Sequence, residues 1–256
     1  MNIRVFSREE DIARALAREI VEALRRKPTL ALGLPTGRTP VPLYRELARL
    51  SRLGEADFSR ARSFNLDEFV GVRPRQAASF RAFMTRHLFT HINLPPRHAH
   101  VLNGVARDSA AECLRFERAI ERAGGLDLLI LGLGVNGHIG FNEPGPALVA
   151  RTHRTRISAA TRRAYAAEFG NRLASVPREA LTMGMATILG ARRLVLVATG
   201  RRKAAAVKRM LEGPITPRLP ASFLQLHPNA DVALDKVAAV RLRGLRAQGR
   251  PARRPY

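Results

Sequence analysis

The chain has 256 residues, 46% of them hydrophobic, with 44 Lys and Arg against 21 Asp and Glu for a formal net charge of +23. That length suits one large α/β domain or two small ones, no run approaches the ~20 apolar residues of a membrane span, and the lone Cys113 excludes an intrachain disulfide. Only Lys27, Lys203, Lys208 and Lys236 are lysines, and the arginines lie singly or in pairs without aromatic interleaving. The charge therefore reads as a GC-rich coding bias rather than a specific nucleic-acid surface, leaving only salt-sensitive adsorption to polyanions.

The opening Met1-Asn-Ile-Arg-Val-Phe-Ser7 lacks the charged-then-apolar build of a secretion signal, so the expected compartment is the cytoplasm. Ile3–Phe6 reads as a short strand. Ser7 is placed to cap a helix, with Glu10 at capping-box spacing and Ile12, Leu16, Ile20 and Leu24 as one apolar stripe. Thr29–Leu34 reads as a second strand, leading into the turn Pro35-Thr-Gly-Arg-Thr39. Pro40 suits the first turn of a helix reaching about Leu50. Ser63–Leu66 reads as a third strand that ends at Asp67 and Glu68. Helical patterns follow over Ser79–Phe89 and Asp108–Ala123, the latter holding Cys113 as a core thiol. Leu126–Leu131 is the central strand. Beyond it, Thr161–Phe169 and Leu181–Leu189 predict small helices, Arg193–Ala198 a strand ended by Gly200, and Lys203–Leu211 a helix. Phe223–Leu226 and Val232–Leu234 read as short closing strands. The alternation predicts an α/β fold, an open, mostly parallel sheet with helices on both faces. One domain is expected over residues 1–240, with a basic, frayed tail from Arg241 to Tyr256.

Three strand ends carry polar groups able to meet at one sheet edge. The turn at Thr36, Gly37 and Arg38 opens into a helix start, where free N–H groups and the helix dipole favour a phosphate; it lacks the lysine spacing of a nucleotide P-loop. Phe64-Asn-Leu-Asp-Glu-Phe69 puts two carboxylates after a strand. Adjacent residues there point to different sides, which leaves Asp67, nearest the strand end, as the candidate base. The third is Gly132-Leu-Gly-Val-Asn-Gly-His-Ile-Gly-Phe-Asn-Glu-Pro-Gly145, in which His138 stands near Asn136 and Glu143. An imidazole beside a carboxylate can pass protons near neutral pH.

Together these segments resemble the glucosamine-6-phosphate deaminases of the sugar-phosphate isomerase/6-phosphogluconolactonase superfamily. The matches run in family order over roughly residues 2 to 235: Leu34-Pro-Thr-Gly-Arg-Thr-Pro40, Phe64-Asn-Leu-Asp-Glu-Phe-Val-Gly71, Leu102-Asn-Gly104, the Gly132–Gly145 turn, Val176-Pro-Arg-Glu-Ala-Leu-Thr-Met-Gly184 and Leu224-Gln-Leu-His-Pro228. The resemblance implies a modified Rossmann-like fold with a small helical lid. It also implies conversion of glucosamine 6-phosphate and water to fructose 6-phosphate and ammonia, with no metal and no organic cofactor. By this resemblance Asp67 is the proton acceptor, while His138 and Glu143 assist ring opening. Asn136 stands where the family has Asp or Asn; it can orient His138 but brings no charge. The phosphate would be held at Thr36, Gly37, Arg38, Gly137 and Lys203. The partner implied is a small amino-sugar phosphate, and relatives ranging from monomers to hexamers leave a homo-oligomer open.

The family's lid reads Thr-Arg-x-x-Asn-x-Arg-Phe-Phe, and its second arginine contacts phosphate. Here Thr161-Arg-Arg-Ala-Tyr-Ala-Ala-Glu-Phe169 has Ala167 at that place, leaving Arg38, Arg162 and Arg202 as candidate substitutes. Allosteric members carry serines after Asn-Glu-Pro and a nearby Arg-x-Lys. This chain has Pro146, Ala147, His153 and Thr155 instead, so activation by N-acetylglucosamine 6-phosphate is not expected. Pro220-Ala-Ser-Phe-Leu224 resembles the galactosamine-6-phosphate branch equally well and keeps that substrate as an alternative. A sugar-phosphate sensor is a further alternative, disfavoured by the retention of Asp67, His138 and Glu143 together.

Overall fold

The computed structural model describes residues 1–243. In chain order its strands and helices are β1 (Asn2–Phe6), α1 (Glu9–Arg26), β2 (Ala31–Leu34), α2 (Val41–Arg52), β3 (Arg62–Asn65), β4 (Asp67–Phe69), α3 (Phe80–His87), β5 (Ala99–His100), α4 (Ser109–Arg122), β6 (Leu128–Gly132), β7 (His153–Arg156), α5 (Ala159–Ala164), β8 (Glu179–Thr182), α6 (Met185–Leu189), β9 (Leu194–Ala198), α7 (Ala204–Glu212) and β10 (Ala230–Asp235). Seven strands form one parallel sheet in the order β1-β10-β9-β6-β2-β3-β5. The pairing of β1 with β10 joins the two ends of the described chain in one sheet. This is the open α/β architecture expected from the alternation. From residue 244 on, the basic tail lies outside the described residues.

The sheet is covered on both faces because its strands alternate between two cores. In β6, Leu128 and Ile130 pack with α1 and α2 residues such as Leu16, Ile20 and Leu47, while Leu129 and Leu131 pack with Phe116, Ile188 and Val207 on the other side. Strands buried on both faces are continuously apolar, which made this one legible in the sequence. Chain order proceeds outward from β2 to β5 on one side and from β6 to β10 on the other. The reversal between β2 and β6 opens a crevice at the carboxyl ends of the strands.

Four expectations need correction. Ser7 does not cap α1: the N-cap is Arg8, with no side-chain bond, and Glu9, Glu10 and Asp11 meet the helix dipole in the first turn instead. The predicted helix Leu181–Leu189 is split. Its first residues belong to β8, which pairs with both β4 and β7 in a separate antiparallel sheet, and only Met185–Leu189 is helical. Gly184 marks the break, for a Cβ there would stand 2.2 Å from the Arg151 carbonyl oxygen. Phe223–Leu226 lies not in a strand but in a 3-10 helix, Pro220–Leu226, held by Ser222 Oγ, which accepts from the Thr216 N–H at 2.9 Å. Finally, Thr161–Phe169 is not one helix: α5 ends at Ala164 and a 3-10 turn, Ala166–Phe169, follows.

Candidate active site

The turn leaving β6 is built on backbone approaches that only glycine permits. A Cβ at Gly134 would stand 2.3 Å from His138 Nδ1, so the imidazole lies directly on the backbone there. Gly137 adopts φ +93°, and Leu219 fills the space its side chain would need, 2.1 Å from the Cβ position. The Gly137 N–H donates to the Gly134 carbonyl at 3.0 Å, and its own carbonyl accepts from Ala221 at 3.0 Å. Gly137 therefore shapes the turn, with its amide already partnered.

His138, Asn136 and Glu143 come together as one chain of hydrogen bonds. Asn136 Nδ2 donates to Glu143 Oε2 at 2.8 Å, which leaves its Oδ1 facing His138 Nδ1 at 2.7 Å. With the amide's donor end committed to a carboxylate, Nδ1 must carry the imidazole proton, and Nε2 keeps a free lone pair. Thr161 Oγ1 lies 3.3 Å from the same Nδ1, and the Ser158 N–H donates to Glu143 Oε1 at 3.2 Å. Burial holds the His138 pKa below its usual value against the opposing pull of Glu143, with Lys203 adding to the depression. Burial pushes Glu143 upward, but the Thr161 hydroxyl, His138, the Asn136 amide and the Ser158 N–H outweigh it and hold it below the usual carboxylate value. At neutral pH the pair is a neutral imidazole and an ionised carboxylate.

Asp67 arrives from the adjacent strand end. Asn65 Nδ2 donates to the Leu34 carbonyl at 2.9 Å, locking the end of β3 to that of β2 before the chain turns into β4. Asp67 is 7% exposed, and its carboxyl receives no hydrogen bond from any described residue. Gly140, at φ +57°, backs onto it, with a would-be Cβ 3.5 Å from Asp67 Oδ2. Burial, followed by the neighbouring Glu68 carboxylate, raises the Asp67 pKa to about 8. Glu68 points elsewhere, as alternation along a strand requires. It accepts from Ser79 Oγ at 2.7 Å and from the N–H groups of Phe69, Phe80 and Arg81, closing the start of α3.

An aromatic cluster packs beside this region. Phe69 packs at centroid distances of 4.8 Å on Phe80, 5.3 Å on both Phe141 and Tyr165, and 5.4 Å on Phe169, joining the lid segment to β4. Burial and then the carboxylates of Asp67, Glu168 and Glu143 push the Tyr165 hydroxyl well above its usual pKa. The phenol thus shares the carboxylates' neighbourhood.

At the end of β2, the N–H groups of Thr36, Gly37, Arg38 and Thr39 donate to no acceptor among the described residues. Gly37 makes the turn at φ +97°, and the buried Tyr44 hydroxyl donates to the Pro35 carbonyl beneath it. The donors belong to this turn rather than to the helix start, because Pro40 and Pro42 bring no N–H to the beginning of α2. Such a run of unpartnered amides after a strand is the kind of backbone that can take an anion. Lys203 stands at the N-cap of α7, as the last residue of the 3-10 turn Arg201–Lys203, where its Nζ donates to the Leu133 carbonyl at 2.5 Å and burial lowers its pKa. Arg38 and Arg202 are exposed. Arg162 donates to the carbonyls of Leu173 at 2.7 Å and Val176 at 2.8 Å, fastening the lid loop. No cluster of three or more His, Cys, Asp or Glu arranged to hold a metal occurs among the described residues.

Sequence reading missed Thr161, Ser158 and Tyr165. The first two carried a faint signal, since Ser158 and Thr161 have the spacing of a helix cap, and Ser158 Oγ does accept from the Thr161 N–H at 3.2 Å. Tyr165 gave none, because one aromatic residue in a short helical pattern reads as core.

Residues 7–233 match the family described as glucosamine-6-phosphate isomerases/6-phosphogluconolactonase. The chain is 40% identical over 239 residues to a glucosamine-6-phosphate deaminase of Thermoanaerobacter pseudethanolicus, covering 93% of this chain and 94% of that protein. It is 43% identical over 239 residues to one of Clostridium perfringens, covering 93% and 98%. A solved structure of a monomeric glucosamine-6-phosphate deaminase superposes with a TM-score of 0.91 at 38% identity, covering 94% of this chain and all of that one.

Proposed function

The chain belongs to the glucosamine-6-phosphate isomerase/6-phosphogluconolactonase family, and from that premise we propose that it is a glucosamine-6-phosphate deaminase in which Asp67, His138, Asn136 and Glu143 carry the chemistry. The observation that carries the residue roles is the convergence, at one sheet edge, of an unpartnered buried carboxyl, a tautomer-fixed imidazole and a turn of free amides.

The substrate phosphate docks on the N–H groups of Thr36, Gly37 and Arg38, with Lys203 supplying charge and Arg38 closing from solvent. His138, bare at Nε2, takes the proton of the anomeric hydroxyl and returns one to the ring oxygen, so the pyranose opens. Asp67, as a carboxylate, removes the C2 proton and delivers it to C1, while the amino group gives up one proton and the C1 oxygen takes one, so that C1 becomes an alcohol carbon and C2 an imine. Water adds at C2, the carbinolamine collapses, and ammonia leaves with fructose 6-phosphate. Glu143 stabilises the imidazolium formed in passing, acting through Asn136. The apolar aromatic cluster strengthens each of these charge interactions. A sugar phosphate substrate and the lack of any described helix long and apolar enough to cross a membrane support a cytoplasmic enzyme.

Ammonia release from the purified protein, offered glucosamine 6-phosphate and galactosamine 6-phosphate side by side, tests the reading. Turnover of the glucosamine compound that vanishes in Asp67→Asn supports reaction, substrate and base together. Turnover of the galactosamine compound alone moves the protein to the sister branch, and silence on both overturns the proposal.

A further inference from the structure

A cavity of about 500 Å3 opens beside β5, the last strand of the parallel sheet, between that edge and α4. Arg62, Arg97, His98, His100, Arg115 and Arg122 line it, with only alanines between them and no carboxylate. Arg115 is held in place by Glu112 at 2.6 Å. Arg62, Arg97 and Arg122 make no ion pair among the described residues. In a chain this basic, exposed arginines are ordinary; guanidinium groups from β3, α4 and the loop before β5 converging on one concave wall are not.

The imidazoles reinforce the pattern. His100 stacks on Phe64 with ring centroids 4.6 Å apart and an interplanar angle of 12°, which fixes its ring. Burial and then the charges of Arg115, Arg62, His98 and Arg122 hold its pKa down at about 4. His98 Nδ1 is buried without a hydrogen-bond partner. Beyond burial, which acts first on both rings, the guanidinium groups of Arg62, Arg97, Arg115 and Arg122 add positive charge around them, although the Ala61 backbone partly offsets it at His98.

This place lies toward the other end of β3 from Asp67. Arg62 opens β3, whose other end, Asn65, leads to Asp67, so the cavity lies toward the amino ends of the strands and shares no residue with the catalytic edge. We propose that it is a second anion site, taking a small molecule that bears two phosphate groups. Guanidinium forks match phosphate oxygens in pairs. A single phosphate would leave most of the wall uncompensated, and the volume falls in the range of roughly 300–1,000 Å3 typical of small-molecule sites.

The test follows the ring signals of His98 and His100 by NMR in the full chain, at about 150 mM salt, where exposed charges are screened beyond ~8 Å. Inorganic pyrophosphate and inorganic phosphate are added separately. Saturable shifts of both rings, a rise of the His100 pKa, and pyrophosphate binding about tenfold more tightly than phosphate are expected. Arg62→Ala with Arg122→Ala abolishes the response while ammonia release persists, which certifies the fold. Arg62→Lys with Arg122→Lys keeps the charge but removes the fork, and is expected to weaken binding about tenfold. Shifts that never saturate, or full binding in the lysine variant, would mean unspecific attraction and overturn the site. So would a response confined to long polyanions such as heparin.

Discussion

Asp67, the proposed base, is the residue at which function and stability would oppose each other. Its folded pKa of about 8 stands above the ordinary 3.8, so the folded chain retains a proton that the unfolded chain has released across that window. Stability therefore falls as pH rises from about 4 to about 8 and regains nothing above it. Asp67→Asn removes the penalty: near pH 8.5 its melting temperature should exceed the parent's by about 3–6 °C, roughly 1.5 kcal/mol for a chain of this size. The same variant should lose ~10²–10⁴-fold in turnover; calorimetry and the ammonia assay read the two effects on one sample. Because the base must be ionised, kcat/KM of the parent should climb with pH along a limb centred toward 8, and that limb should be absent from residual activity in Asp67→Asn. Asn136 acts at one remove, by choosing the tautomer of His138. Asn136→Leu should cut kcat about 10–100-fold with little change in KM, since the phosphate turn is untouched. An unchanged kcat would show that the imidazole needs no such orientation.

At the scale of elements, the small antiparallel sheet decides where the proposed catalytic groups stand. β4 aligns Asp67 opposite Thr182 of β8, and Thr182 Oγ1 accepts from the Phe141 N–H at 3.0 Å, so this strand fixes both the base and the turn that carries His138 and Glu143. Glu117, on α4, fastens the same region. It accepts from the Thr152 N–H at 2.7 Å, from Thr152 Oγ1 at 2.5 Å and from Thr187 Oγ1 at 2.6 Å. Gly184 is the joint between β8 and α6, pressed against the carbonyls of Ala150 and Arg151. Gly184→Ala should destabilise the protein by about 2–4 kcal/mol, read from the urea midpoint, because neither backbone oxygen can yield as a flexible side chain would. A midpoint equal to the parent's would mean that the joint is soft.

For the whole molecule, one open sheet places three strand ends at a shared crevice, and regulation has to be read against that frame. His153 and Thr155 lie on β7, and His153 Nδ1 is within 2.9 Å of the Arg151 carbonyl in the chain just before that strand. Together with Pro146 and Ala147, this gives an N-acetylglucosamine 6-phosphate site little to hold. Initial rates should rise hyperbolically with glucosamine 6-phosphate and ignore added N-acetylglucosamine 6-phosphate. A sigmoidal curve relieved by that ligand would reverse the expectation. In the lid segment Ala167 brings no cation and Arg162 is committed to the carbonyls of Leu173 and Val176, so the proposed phosphate site would draw its charge from Arg38, Arg202 and Lys203.

By itself the sequence determined the layered α/β plan and the sheet edge where chemistry would gather. Strands β6 (Leu128–Gly132) and β9 (Leu194–Ala198) are apolar runs because both faces are covered, and that pattern needs no partner to be recognised. The turn from Gly132 to Gly145 was equally legible, since glycines that admit a ring or a left-handed bend are written in the residue type. Tertiary structure alone decided the second sheet. Asp67–Phe69 and His153–Arg156 are short, and each carries charge, so they become strands only by pairing with β8. It also decided which of two adjacent carboxylates would be left without a partner. Glu68 finds Ser79 and the amides at the start of α3, while Asp67 is buried with no donor among the described residues. A carboxyl's pKa is set by the atoms that surround it in space, and chain order does not record them.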